Sequence, residues 1–381
     1  GMLSVIIPGA FALAAQMLRS GLTYREYEGP NDNTVEVYRK GWGPALQLVP
    51  WNAPAPMAAH KVASALAAGC PVIIKPPERA PHGTGVLTKG LDKVGFEPGL
   101  IQLVHGGPRQ GGVLVKDPRV RAVSFTGGVG GGRDIATACA VGLKPVQLEL
   151  GGHSPLVLMP DVDAEAAAGA VVALMTTLNG QWCRALGRLI LPADRSDELM
   201  DAISVALGSV SLGSSVDPTS MMGPIVHSDH LAMLRGTIDK FVAAGGEAHA
   251  WTPLPDLTGN FLAPTLLTGL DPDTTGDEVF GPVAFVHEYR DTDEALALAN
   301  GTEYGLEAYV FGTDEDAAMS LARNVRAGGV KVNGASPISL NLMAPRPAWG
   351  VSGLHIEGTA ETIEFFCGTS VVGVEGPLEF A

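Results

Sequence analysis

RAVSFTGGVGGGRDIA, residues 121–136, runs from a short apolar, β-branched stretch through a glycine-rich turn into an alanine-bearing helical segment. A strand handed over to a helix through bare backbone is the turn of a βαβ unit, where main-chain N–H groups can approach a phosphate. The glycines depart from GxGxxG spacing, so as a nucleotide signal the turn alone is weak. Repetition gives it weight. PVIIKP (71–76), LIQLVHG (100–106) and PVQLEL (145–150) are similar runs, and APMAAHKVASALAAG (55–69) and GTGVLTKGLDKVG (83–95) between them carry helical pattern. Strands alternating with helices predict a largely parallel sheet.

Further on the pattern starts again. After Asp161, an Asp-Val-Asp sequence caps an alanine-rich helix over 164–178. RLILP (188–192), VAFVHEY (283–289), AYVFG (308–312) and GVKVNG (329–334) read as strands of a second α/β unit, which places a boundary near Gly151 and Gly152. EVYRKGWGPALQLVP (36–50) and TSVVGVEGPLEF (369–380) read as extended segments that pair with each other or with another subunit. Residues 8–20 read as an amphipathic helix.

Composition narrows the class of function. A chain of 381 residues is long for one core, and 46% hydrophobic against 17% charged residues describes a packed globular protein. The net charge of −15 opposes nucleic acid and anionic membranes as partners, since both require a basic surface. Cys70, Cys139, Cys183 and Cys367 lie far apart, with neither metal-ligand nor disulfide spacing, so no metal is implied and a reducing cytoplasm is expected. No segment approaches the roughly 20 apolar residues that span a bilayer. A small-molecule enzyme fits these bounds.

Cys183, in LNGQWCRALGR (178–188), follows a helix-stopping Asn179-Gly180 at an element junction, where side chains reach a cleft. The alternative reading of a lone cysteine is a small buried hydrophobe. A nucleophilic thiol needs a second group to activate water, and Glu149, at the end of VQLELGG, is a carboxyl whose burial would raise its pKa; the alternative is a structural ion pair. Asn52, in VPWNAP (49–54), is held in a stiff turn after a strand, from which a fixed amide can donate to an oxyanion; the alternative is an ordinary turn asparagine. Lys75 and Glu78, in KPPE, stand at a strand's carboxyl end, where parallel sheets bind ligands, and suit ribose hydroxyls.

PWNxP, KPxE, FTG with its glycine turn, ELGG, NGQxC and EVFGPV (278–283) occur in this order. As a set they resemble the NAD(P)-dependent aldehyde dehydrogenase superfamily, from about residue 36 to the C-terminus, as an N-terminally shortened member. The resemblance implies an aldehyde dehydrogenase-like α/β fold: a Rossmann-type NAD-binding domain over 1–32 and 53–151, a catalytic domain over 152–366, and oligomerisation strands at 33–52 and 367–381. It implies that Cys183 attacks the aldehyde, that Asn52 and the Cys183 N–H hold the oxyanion, and that Glu149 activates the water that hydrolyses the thioester. It implies NAD held by Lys75, Glu78, Gly127, Glu278 and Phe280, with Pro50 and Trp51 in the PWN turn. The Glu78 carboxylate would repel a 2′-phosphate, which favours NAD while leaving NADP open. Lys61 matches a family lysine, and Glu357 lies near a carboxylate assigned to proton relay. A homodimer or homotetramer follows from the strand segments.

The sequence also departs from the family pattern. Ala53 stands for the phenylalanine after PWN, His60 for a tunnel aromatic, His153 for the lysine of ELGGK, and Gly128 for the serine of FTGS. PRPAWGVSG (345–353) replaces PFGGxKxSG, losing an aromatic that closes the aldehyde pocket, so a wider and more polar pocket is expected. Three other readings stay open: a catalytically silent homologue that binds cofactor or assembles, acylating chemistry with coenzyme A as acceptor, and a cysteine hydrolase on an unrelated fold.

Overall fold

The computed structural model describes residues 3–29 and 32–375, so the last part of the 369–380 segment lies outside the described residues. The chain forms two compact units, Gly1–Glu149 with Asn341–Arg346 and Leu354–Ala381, and Leu150–Leu340 with Pro347–Gly353.

The first unit is built on a six-stranded sheet. Its strands run Gly353–Leu354, Val146–Glu149, Ala122–Thr126, Ala45–Leu48, Val72–Lys75 and Ile101–Leu103 across the sheet, and the last five are parallel. In chain order those five lie 5-4-1-2-3, so the winding reverses between Ala45–Leu48 and Ala122–Thr126. The carboxyl side of such a reversal opens a crevice that a doubly wound sheet uses for ligands. Helix Pro54–Ala67 has Pro54 in its first turn, where the missing N–H costs nothing, and buries Ala58, Ala59, Val62 and Ala65 against a core that includes Val72 and Ile74. Strand Thr34–Gly41 lies between Tyr24–Glu28 and Cys367–Gly373 in a separate antiparallel sheet, with Val37 opposite Val371. The two extended segments therefore pair with each other. The 36–50 stretch is divided between sheets, because Trp42 to Pro44 break it before Ala45–Leu48.

The second unit carries a seven-stranded sheet in the order Glu247–His249, Thr265–Thr268, Val283–Tyr289, Leu186–Pro192, Ser154–Leu158, Glu307–Phe311, Gly329–Val332. Only the first pair is antiparallel. Helix Ala164–Thr176 begins at Asp163, whose carboxylate accepts from the Ala166 amide at 2.8 Å, and it sets Ala167, Ala170, Val171 and Leu174 into the core with Leu156, Leu189 and Leu191. The amphipathic helix read over 8–20 spans Leu3–Arg19, with Ala14 and Met17 buried. Among the described residues no helix is long and apolar enough to cross a membrane.

Candidate active site

In the first unit the expected site residues line the carboxyl edge of the parallel sheet. Glu149 is buried at the end of its strand, and its carbonyl accepts from the Gly127 amide at 3.1 Å. The next strand ends at Thr126, and Gly127 follows it. Pro50, Trp51 and Asn52 follow Ala45–Leu48 on the other side of the winding reversal. Lys75 ends the next strand, and its ammonium donates to the Pro76 carbonyl at 3.1 Å and to Glu78 at 2.7 Å. The parallel register thus brings Glu149, Gly127, the PWN turn and the Lys75–Glu78 pair to one edge. Lys75 is buried while Glu78 is exposed, so the lysine holds the carboxylate outward. Burial opposes the Glu78 charge, but the Lys75 hydrogen bond and its own amide keep its pKa below the usual range.

That edge fits a dinucleotide. An anchored ammonium beside an exposed carboxylate offers a donor and an acceptor to a diol, and Gly107, whose absent side chain would stand 3.8 Å from Glu78, leaves the space next to the pair open. Gly127 has a local cause as well: any side chain there would meet the Phe125 ring.

In the second unit the corresponding residues gather at the amino edge of the sheet. Gly151 and Gly152 precede Ser154–Leu158, Cys183 precedes Leu186–Pro192, and Glu278 and Phe280 precede Val283–Tyr289; these three strands are neighbours. The Glu278 carboxylate accepts from the Gly152 amide at 3.0 Å and occupies the space that a side chain at Gly151 would take. A side chain at Gly152 would collide with the Cys183 carbonyl. The double glycine of ELGG is therefore required by two close approaches, one from the Glu278 carboxylate and one from the main chain of Cys183. Burial lifts the Glu278 pKa to about 7 against the pull of the Gly152 amide.

The turn before Cys183 is pinned by its own amides. Helix Ala164–Thr176 stops, and Leu178, Asn179 and Gly180 take positive φ values of 50°, 59° and 69°. The Asn179 side chain donates to the Pro224 carbonyl at 3.1 Å and accepts from the Gly223 amide at 2.8 Å, while Gln181 accepts from the Val226 amide at 2.9 Å. Trp182 is buried in the core, and Cys183, half-buried, packs beside it. NGQW thus builds the turn that presents the cysteine.

The aldehyde dehydrogenase family profile matches residues 7–372. The chain belongs to the aldehyde dehydrogenase family. It is 36% identical to geranial dehydrogenase of Castellaniella defragrans over 88% of this chain and 70% of that one. It is 32% identical to succinate-semialdehyde dehydrogenase of Paenarthrobacter nicotinovorans over 97% and 84%. Relatives from Staphylococcus haemolyticus and Staphylococcus saprophyticus are covered over 64% of their lengths. Among solved structures, a Mycobacterium tuberculosis aldehyde dehydrogenase complexed with NAD+ is similar with a TM-score of 0.91 at 28% identity, over 99% of this chain and 77% of that one. Betaine aldehyde dehydrogenase from Staphylococcus aureus, also with NAD+, gives 0.89 at 29% identity over 94% and 72%. The α/β, aldehyde dehydrogenase-like fold read from the sequence is the fold observed.

His60, Lys61 and Glu357, singled out by the resemblance, take partners that the sequence did not show, and a second polar set was not singled out at all. In the first unit His60 Nε2 receives the Arg346 guanidinium at 3.1 Å, and Arg346 stands where PFGG has its phenylalanine. Buried Lys61 donates to Ser124 at 2.6 Å and to Glu357 at 3.0 Å. Burial opposes the Glu357 charge, but Lys61, His60 and Arg346 hold its pKa below the usual range. In the second unit Arg184, Glu307, Tyr309 and Lys331 form a linked set. The signal was present: Glu307 and Lys331 interrupt apolar strands, and a charge inside such a run needs a partner.

Proposed function

We propose that this aldehyde dehydrogenase family member oxidises an aldehyde to a carboxylic acid with NAD. The observation that carries the proposal is the turn that presents Cys183, fixed by Asn179, Gln181 and Trp182 on one side and fitted to Gly152 on the other. The Cys183 thiolate forms a bond to the carbonyl carbon, and the Asn52 amide with the Cys183 N–H receives the developing negative charge. Bound NAD supplies the acceptor for the hydride that leaves the same carbon. Glu149, buried at its strand end, takes a proton from the water that cleaves the resulting thioester, which frees the acid and restores the thiol. The presence of Glu149 favours water over coenzyme A as the acyl acceptor.

Lys75 and Glu78 are assigned to the adenosine ribose, Glu278 and Phe280 to the nicotinamide ribose and ring, and Pro50, Trp51 and Gly127 to the adjoining backbone path. The outward Glu78 carboxylate supports NAD over NADP by repelling a 2′-phosphate. Residues 1–32 and 53–151 serve as the cofactor domain and 152–366 as the catalytic domain. Of the segments 33–52 and 367–381 expected to assemble subunits, Ala45–Leu48 belongs instead to the parallel sheet of the first unit, so strands Thr34–Gly41 and Cys367–Gly373 serve assembly into a dimer or tetramer, in a reducing cytoplasm that suits cysteines held in no disulfide.

The test is NADH formation by the purified chain across aldehydes of different polarity, with NAD and with NADP. Activity in the parent that vanishes in Cys183→Ala supports the assignment; activity retained by that variant overturns it. A rate that appears only with added coenzyme A would transfer the assignment to acylating chemistry.

A further inference from the structure

Strand Glu307–Phe311 begins with a carboxylate in an otherwise apolar run, and the structure places it between two cations. Glu307 lies 3.4 Å from the Arg184 guanidinium and 3.4 Å from the Lys331 ammonium, and all three side chains are largely buried. Glu307 and Tyr309, two residues apart, share one face of the strand. Their partners in the parallel register are Gly329 and Lys331. Gly329 leaves room for the carboxylate, since a side chain there would stand 2.9 Å from it.

This set reaches two segments beyond the sheet. Tyr309, fully buried, donates its hydroxyl to the Arg184 carbonyl at 2.8 Å, so the residue after Cys183 is held by both its main chain and its side chain. Lys331 donates to the Ser336 carbonyl at 2.6 Å and the Ile338 carbonyl at 2.9 Å. One buried carboxylate therefore ties the cysteine turn to the 336–338 segment. The set thus holds two cations and one carboxylate, and one of the cations belongs to Arg184, the residue after Cys183. Tyr309 is within electrostatic reach of Cys183, and its own ionisation is pushed well up by burial and by Glu307.

We infer that Glu307 is the positioning residue of the Cys183 turn: through Arg184 it fixes where the thiol stands, and by offsetting one of the two cations it sets the field in which the thiol ionises. An opposite charge within hydrogen-bonding range of an ionisable group shifts its pKa by about 1 to 3 units, and loss of that charge reverses the shift. With the Glu307 carboxylate removed, the two cations favour the thiolate. With a cation removed, the thiol is favoured. The inference rests on Cys183 being the nucleophile, and the experiment separates the two ideas.

The full chain, without cofactor, is alkylated with iodoacetamide across a pH range, and modification of Cys183 is followed by peptide mass analysis. Glu307→Gln is expected to move the midpoint of reactivity down by about one pH unit, and Arg184→Gln to move it up by a similar amount. Opposite shifts are what a charge relationship produces; a merely structural role would alter the plateau rate and leave both midpoints in place. Should Glu307→Gln not fold, the upward shift in Arg184→Gln, with Arg184→Lys restoring the parent midpoint, carries the test alone. Parent midpoints in the variants, beside a reactive Cys183 in the parent, overturn the positioning role only. An unreactive Cys183 in the parent overturns the nucleophile assignment and this role with it.

Discussion

Gly152 and the Cys183 carbonyl meet so closely that a side chain at position 152 has no room. The cysteine turn cannot easily withdraw, because Trp182 is buried in the core and Tyr309 holds the Arg184 carbonyl at 2.8 Å. Gly152→Ala is therefore expected to displace the turn. Overpacking of this kind costs about 1 to 3 kcal/mol, and a comparable loss of transition-state stabilisation lowers kcat/KM about tenfold or more. Steady-state kinetics beside circular dichroism of the folded variant check this; parental kcat/KM would show that the turn tolerates the shift.

Glu149→Gln keeps the shape of the strand end while removing the base. Acyl transfer to Cys183 should proceed, and water attack on the thioester should slow by about 10²- to 10⁴-fold. Rapid mixing is expected to show a burst of about one NADH per subunit followed by slow turnover. Undiminished steady-state turnover would remove Glu149 from the role of base.

The fold was legible because each sheet strand is a short apolar run bounded by Gly, Pro or Asp, as in PVIIKP and VAFVHEY. The order of the motifs also singled out Cys183 and Glu278, which precede neighbouring strands of one sheet. Sequence did not show that the second unit gathers its candidates at the amino edge of its sheet, because edge position depends on strand order and not on local pattern. Nor did it pair Arg184 with Glu307, 123 positions apart, or His60 with Arg346; such pairings form only when distant strands and helices pack. Gly151 and Gly152, at the boundary expected from the sequence, also have a local cause that the sequence did not show: their bare α-carbons make room for the Glu278 carboxylate and the Cys183 carbonyl.

Acid should unfold the protein in a window set by buried histidines. Burial lowers His153 to about 3, and His287 and His60 to about 4, with nearby Arg188 adding to the first two. The unfolded chain binds these protons near pH 6.5 and the folded chain does not, so below that pH unfolding takes up protons. Stability is full above about pH 6.5 and is lost as pH falls towards 3. Thermal melts from pH 8 to 4 should show a falling Tm below about 6.5, and His153→Gln should flatten the slope. A slope unchanged in that variant would mean that His153 is charged in the folded state.

Glu278 predicts a second pH dependence, at higher pH, in the proposed cofactor site. With a pKa near 7 it is largely protonated at pH 6 and ionised at pH 8. A carboxylate accepts ribose hydroxyls better than a carboxylic acid does, since hydrogen bonds to a charged group are stronger. NAD affinity is expected to rise from pH 6 to 8 with a midpoint near 7, and Glu278→Gln should bind weakly at both ends. Calorimetric titration at several pH values checks this. The same pH dependence in Glu278→Gln would assign the midpoint to another group.

Substrate preference should turn on Arg346. Its guanidinium donates to His60 Nε2 at 3.1 Å, and Thr362 meets the same nitrogen at 3.3 Å. A low His60 pKa keeps the ring neutral, so that nitrogen is the acceptor and the proton sits on Nδ1. Glu357 stands 3.8 Å from Arg346 but is already paired with Lys61 at 3.0 Å, so it offsets the guanidinium only in part. A cation and a neutral imidazole thus occupy positions where family members carry aromatics. They suit an aldehyde with a carboxylate or other polar end, and a charged hydrogen bond is worth about 1.5 to 3 kcal/mol. Arg346→Phe is expected to lower kcat/KM for a semialdehyde by about 10- to 100-fold while raising it for a long apolar aldehyde, with the change mainly in KM. Equal effects on both substrates would place Arg346 outside the path of the aldehyde and leave it as the anchor of the 342–346 segment on helix Pro54–Ala67.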